Sequence, residues 1–201
     1  MKSVIFYCGD GNSLVNFRLE LIKLFIRNRF KVYAFGPYIK DHNLTKLSKL
    51  GVVYESTFME RKNVNPLSFL NNILSLRRKI RKIKPDFIFS YTHKPVVVGA
   101  FAAAFIKQTK IISLITGTGH LFDDHNFKVK FRKFFGLLVF KAALFVSYKV
   151  IFQNPDNQKL FLSLGLVSKQ KSYLVNGSGV DLDLFSFSRI PEDEFIFLCL
   201  A

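Results

Sequence analysis

Three short segments of this chain carry residue types able to do chemistry on a phosphate or a sugar. The first is C-G-D-G-N-S-L, residues 8–14. Its Gly11 and Asn12 precede a helical pattern; glycines there let the backbone approach a ligand, and a helix N-terminus favours anions. It is not a dinucleotide fingerprint. Leu14 stands in the third glycine's place, and the second apolar run ends in Phe35-Gly36, without the acid that would hold a ribose. A phosphate or a sugar is left as ligand, or else a plain tight turn.

The second segment is S-Y-T-H-K-P, residues 90–95, in which His93 and Lys94 form a pair suited to a phosphate or a hydroxyl. Gly99 and the alanines beyond it allow close packing of a helix on a sheet; the bland alternative is a surface loop capped by Thr92. The third is T-G-T-G-H-L-F-D-D-H-N, residues 116–126. Thr116, Gly117, Thr118 and Gly119 would turn several backbone N–H groups into one concave nest, and His120 is near enough to carry a proton. Asp123, Asp124 and His125 are contiguous and lack a fourth ligand, so no metal site is expected there.

These segments need a scaffold, and the sequence supplies one. Short runs of Val, Ile, Phe and Tyr predict strands at residues 3–8, 31–35, 52–55, 86–91, 110–114, 150–152 and 172–175. They are apolar throughout, as in strands covered on both faces. Helical patterns fill 17–27, 43–50, 66–83, 96–107, 127–148 and 154–164. Asn65-Pro66 and Asn154-Pro155 read as N-caps followed by proline at the first helical position. The alternation predicts an α/β fold with a Rossmann-like parallel sheet and helices on both faces. In such sheets ligands lie beyond the carboxyl ends of the strands, where all three segments fall.

Composition narrows the partners. Among 201 residues, Lys and Arg total 30 against 14 acids, a formal charge of +16 that calls for an anionic partner. Nucleic acid is not favoured, because no recognition motif is present and the aromatics sit on core-like stripes. Cys8 and Cys199 offer neither a disulfide framework nor metal spacing, which fits a reduced, cytoplasmic setting. No uncharged apolar run nears the roughly 20 residues needed to cross a membrane. The reading is a soluble or peripheral protein.

Residues 127–148 suggest how it would meet a membrane. Phe127, Phe131, Phe134, Phe135, Leu138, Ala142 and Phe145 make one apolar stripe, assigned to the core. Leu137, Phe140 and Leu144 make a second, flanked by Lys130, Lys133 and Lys141 and assigned to an anionic membrane surface. A helix packed on both sides is the competing account.

Four segments taken in order, N-F-R-L-E-L-I-K (16–23), I-K-P-D-F-I-F-S-Y-T-H-K-P (83–95), T-G-T-G-H-L-F (116–122) and N-G-S-G-V-D-L-D-L-F (176–185), carry a resemblance. The chain resembles the N-terminal, acceptor-side domain of a family 4 glycosyltransferase of GT-B architecture, in the branch acting on polyprenyl-diphosphate-linked sugars. The resemblance implies retaining transfer of a hexose or N-acetylhexosamine from a nucleotide-sugar, with no metal and no cofactor. It also implies an acceptor-binding role for this half, on the inner face of the cell membrane. Gly11, Asn12, His93, Lys94, Gly117, Thr118 and Gly119 would contact substrate, and Thr116 with His120 would line the catalytic side. Many members carry a histidine near the position of Thr116, so His120 does not simply inherit that role. Residues 1–185 are expected to form this domain. Residues 186–201 are expected to be a linker and the first strand of a second, donor-binding domain that is missing or separately encoded. The chain alone is then expected to be inactive. The alternative is a non-catalytic acceptor- and membrane-recognition subunit of a split enzyme.

Overall fold

The computed structural model describes residues 1–58, 65–118, 127–183 and 185–189, apart from the side chains of 127–134. Strands β1 (Ser3–Tyr7), β2 (Lys31–Gly36), β3 (Val53–Ser56), β4 (Phe87–Tyr91), β5 (Lys110–Ile115), β6 (Lys149–Phe152) and β7 (Ser172–Leu174) form one sheet in the order β3-β2-β1-β4-β5-β6-β7. Every pairing is parallel. Helices α1 (Asn12–Arg27), α2 (Asp41–Lys49), α3 (Pro66–Ile83), α4 (His93–Ala103), α5 (Phe127–Val146) and α6 (Pro155–Ser163) connect them. All seven expected strands are present within a residue or two.

The central strands are buried on both faces, as expected, whereas the edge strands β3 and β7 are largely exposed, with Val53, Tyr173 and Leu174 open to solvent because no further strand covers them. Ile5 and Tyr7 of β1 point into a cluster with Leu76 of α3, Val96 of α4 and Phe140 of α5. Val4 and Phe6, one residue out of phase, join Leu14 and Ile22 of α1 and Leu47 of α2 on the other face. A strand that feeds two cores has no polar face to show, which is why these runs lack alternation. Ser3 N–H donates to Asp86 Oδ2 at 2.7 Å and fastens the start of β1 beside that of β4.

The caps form as the sequence predicts. Asn65 Oδ1 accepts from Leu67 N–H at 3.0 Å, and Asn154 Oδ1 accepts from Asp156 and Asn157 N–H at 2.7 and 3.2 Å. Three helices begin earlier than expected, α2 by two residues, at Asp41, and two others by more. The turn at α1 starts at Asn12 rather than at residue 17, and α4 starts at His93 rather than at 96. Pro95 does not prevent this, because the first-turn N–H groups have no intrahelical acceptor to lose. His93 and Lys94 are therefore helical residues, not loop residues.

One expectation is inverted. Phe140 and Leu144, assigned to a membrane face, are each 1% exposed, and Leu137 packs against the same core. Phe135, Leu138 and Phe145, assigned to the core, are exposed, as is Ala142. The helix is apolar around most of its girth, so periodicity offers two equivalent stripes. The choice is made by packing: the Phe140 ring lies 5.9 Å from that of Phe161 of α6, and Ala143 gives a small surface against the layer beneath. Lys141 is exposed. The side chains of Lys130 and Lys133, together with Gly119, His120, Cys199 and the strand expected at 194–201, lie outside the described residues.

Candidate ligand cleft at the switch point

Strand order reverses between β1 and β4, so the loops leaving these strands diverge and open a crevice. A cleft of about 670 Å³ occupies that place. Gly9 and Asp10 come to it from the end of β1, Ser13 and Arg18 from α1, Tyr91 to Pro95 from β4 and α4, Thr116 from the end of β5, Gln153 from the end of β6, and Ser178 from the segment after β7. His93, Lys94 and Thr116, three of the expected site residues, are thus brought together. Gly117 and Thr118 follow Thr116 directly, and a Cβ added to Gly117 would meet open space.

Gly11 and Asn12 do not line this cleft. A Cβ on Gly11 would fall 2.6 Å from Tyr54 Oη, 2.8 Å from Ile39 Cβ and 2.9 Å from Pro37 O, so this glycine is required by packing. Asn12 Oδ1 accepts from Lys40 N–H at 2.9 Å and Asn43 Nδ2 at 3.0 Å, which ties the loop to α2. Asp10 Oδ1 accepts from Asn12 N–H at 3.1 Å. The start of α1 already holds a carboxylate of its own, which favours the plain tight turn over the phosphate seat, the two alternatives this segment left open.

His93 is held from two sides. Its ring lies 5.4 Å from that of Phe140, and it is hydrogen-bonded to the Thr118 backbone. Burial lowers its pKa below the ordinary histidine value, against a smaller opposing effect of the Thr118 bond, and Nε2 is buried without a partner among the described residues. A neutral imidazole with one vacant nitrogen can accept a proton or a hydroxyl hydrogen bond. The residue before it is strained: Thr92 adopts φ 67°, ψ 158°, a region almost reserved for glycine. That geometry turns the chain sharply from β4 into α4 and aims His93 and Lys94 at the cleft.

Arg18 is the residue that sequence reasoning missed. It is 5% exposed, its guanidinium sits 4.9 Å from the Tyr91 ring centroid, and it has no ion pair among the described residues. Burial pulls its pKa down, with Tyr91 acting the other way. The signal was present: Leu14, Arg18 and Ile22, four apart, are the buried residues of α1, so an arginine occupies a core position. Tyr91 Oη and Ser13 Oγ are 2.8 Å apart, and burial, the largest cause, raises the Tyr91 phenol so that it stays protonated. The buried Cys8 thiol is likewise pushed up to about 12, chiefly by burial, and is no nucleophile. No group of three His, Cys, Asp or Glu close enough to hold a metal occurs among the described residues.

A parallel sheet whose central strands are covered on both faces, with a cleft at its switch point lined by Arg18, Lys94 and Asp10, defines a Rossmann-like domain. Residues 9–154 match the family described as Glycosyl transferase 4-like, and the chain belongs to that family. It is 29% identical over 183 residues to the N,N'-diacetylbacillosaminyl-diphospho-undecaprenol alpha-1,3-N-acetylgalactosaminyltransferase of Campylobacter jejuni, covering 90% of this chain and 47% of the relative. The fold is similar to a glycosyltransferase from Rickettsia africae (TM-score 0.64, 16% identity, 92% of this chain and 45% of that one). It is also similar to MurG of Acinetobacter baumannii (TM-score 0.59, 13% identity, 90% and 46%). The chain spans about half the length of these relatives.

Proposed function

We propose that this chain is the acceptor-side lobe of a glycosyltransferase that adds a hexose or N-acetylhexosamine from a nucleotide-sugar to a polyprenyl-diphosphate-linked sugar. The observation that carries the reading is the assembly of Arg18, His93 and Lys94 around Thr116 in one cleft at the switch point. Two cations and a neutral histidine beside an exposed hydroxyl suit a ligand with an anionic end and a sugar end. The Campylobacter relative's name describes a diphosphate-linked sugar of that kind.

In this reading Lys94 holds the acceptor by charge. His93, kept neutral by burial, orients or deprotonates the attacking hydroxyl. Thr116 and the backbone of Gly117 and Thr118 border the reacting sugar. Closure of a donor-binding lobe over this rim would exclude water, and retention would be governed mostly by that lobe.

No helix among the described residues is long and apolar enough to cross a membrane. Contact with the lipid is assigned to the exposed face of α5. Phe145 (76% exposed), Phe135, Leu138 and Val139 point outward there, with Lys141 on the same helix and Lys171 Nζ 5.2 Å from the Phe145 ring centroid. Apolar rings flanked by lysines suit a peripheral position on an anionic, cytoplasmic leaflet. The direct test is binding of a detergent-solubilised polyprenyl-diphosphate sugar to the chain and to its His93→Ala/Lys94→Ala variant. Saturable binding that weakens in the variant supports the reading. Equal binding by both, or none, opposes it.

A further inference from the structure

Arg18 presents a problem that the family reading does not resolve. A guanidinium cannot shed its charge at neutral pH, and removing one from water without a counter-charge is expensive. Among the described residues its two hydrogen bonds are both made by Nη1, to Phe17 O at 3.0 Å and to Ser178 Oγ at 2.6 Å. Its Nε is buried with no partner among the described residues. Neither acceptor is charged.

The partner at Nη1 is informative. Ser178 Oγ also accepts from Gln153 Nε2 at 2.9 Å, so two N–H donors from α1 and the end of β6 converge on a single oxygen. Convergent donors around one oxygen, with an arginine fork behind, form the arrangement that a phosphate oxygen takes. Ser178 comes from the far end of the chain, 160 residues on, on a segment whose neighbours Gly177 and Gly179 adopt φ 76° and 74°. Those left-handed glycines let the hydroxyl reach in from outside the sheet.

We propose that Arg18 and Gln153 form an anion subsite for one phosphate of a diphosphate, and that the Ser178 hydroxyl occupies it until ligand displaces it. The inference rests on the acceptor reading above only for the source of the diphosphate. The same chemistry is offered by a lipid-linked diphosphate and by a nucleoside diphosphate. Once bound, the phosphate supplies the missing counter-charge, and the displaced 176–179 segment would report occupancy to whatever follows it.

The test is titration of the whole chain with inorganic pyrophosphate, followed calorimetrically, with a parallel thermal melt. Arg18→Met should weaken binding by about 10–100-fold, the effect of losing hydrogen bonds to a charged group. Its ligand-free Tm should stay equal or rise, because an unpaired buried charge has been removed. Ser178→Ala should bind pyrophosphate as well as the parent or better. Were Arg18 merely an anchor for the 176–179 segment, Arg18→Met and Ser178→Ala would lower Tm alike and leave binding unchanged, and the proposal would be overturned. If Arg18→Met does not fold, Arg18→Lys replaces it: weaker binding at unchanged Tm supports the subsite, and parental binding refutes it. Farnesyl diphosphate and UDP, titrated separately, distinguish the sources. Arg18-dependent binding of UDP alone keeps the subsite but removes the lipid acceptor from it. Failure of the parent chain to bind pyrophosphate removes the subsite while leaving the acceptor reading to its own test.

Discussion

The imidazole of His93 lies 5.4 Å from the Phe140 ring at a tilt of 37°, so the candidate site rests directly on the core face of α5. Phe140 is also edge-on to Phe161, which makes it the bridge between cleft and core. Replacing it with Ala should cost about 3–5 kcal/mol by denaturant unfolding, as for other buried phenylalanines. Phe140→Leu should cost less and leave His93 more hydrated. Its pKa, followed by NMR, should then move up toward the ordinary value. An unchanged pKa would show that Phe140 does not contribute to the burial of His93.

The lowered His93 pKa has a consequence for stability. A histidine whose folded pKa lies below its unfolded value binds fewer protons when folded, so acidification through the unfolded value of about 6.5 favours the unfolded chain. Stability should therefore fall as pH drops below that point and level off beneath the folded pKa. His93→Gln should flatten this limb between pH 7 and 5 in denaturant titrations. A limb of the same slope in the variant would assign the effect to another group.

Thr92 carries backbone strain next to the site. Thr92→Gly removes a β-branched side chain from a conformation that costs on the order of 1–3 kcal/mol, and glycine is tolerated at an N-cap. Urea unfolding should show a gain of roughly 1 kcal/mol after the glycine's own entropy is counted. Ligand binding should weaken at the same time, since His93 and Lys94 lose a fixed approach. A loss of stability would mean that the threonine is not strained.

Close packing of α4 on the sheet depends on Gly99. A Cβ there would overlap Ser90 Oγ, a buried hydroxyl without a partner. Gly99→Ala should destabilise by about 1–3 kcal/mol through overpacking. Ser90→Ala alone should be near neutral, because it removes an unsatisfied group. The double variant should recover part of the loss, giving a measurable coupling in the cycle. Strict additivity would contradict the geometry.

Flotation with anionic vesicles checks the face assigned to lipid. Phe135→Ser/Phe145→Ser should reduce co-flotation, and the parent should bind neutral vesicles less well than anionic ones. Retained flotation in the double variant would move the contact to another surface.

Much of the architecture was legible because each strand is a short β-branched and aromatic run and two helices announce themselves by Asn-Pro. His93, Lys94 and Thr116 were legible for a related reason: they lie at strand ends, and topology alone puts strand ends at the cleft. Gly11 stayed ambiguous because a glycine needed for packing against Tyr54 and one needed for a ligand look the same in one sequence. The stripes of α5 were exchanged because both are apolar, and only the position of Phe161 and the layer beneath selects between them. Arg18 was overlooked although its spacing with Leu14 and Ile22 marks a core position; what the local pattern could not show is its partner Ser178, 160 residues away.

The most direct measurement is photo-crosslinking with a polyprenyl-diphosphate sugar bearing a reactive group on the sugar. The account predicts labelling of peptides holding residues 91–95 and 116–118, suppressed by unlabelled acceptor and by His93→Ala/Lys94→Ala. Labelling confined to peptides away from the switch point, or competed by UDP but not by acceptor, would contradict it.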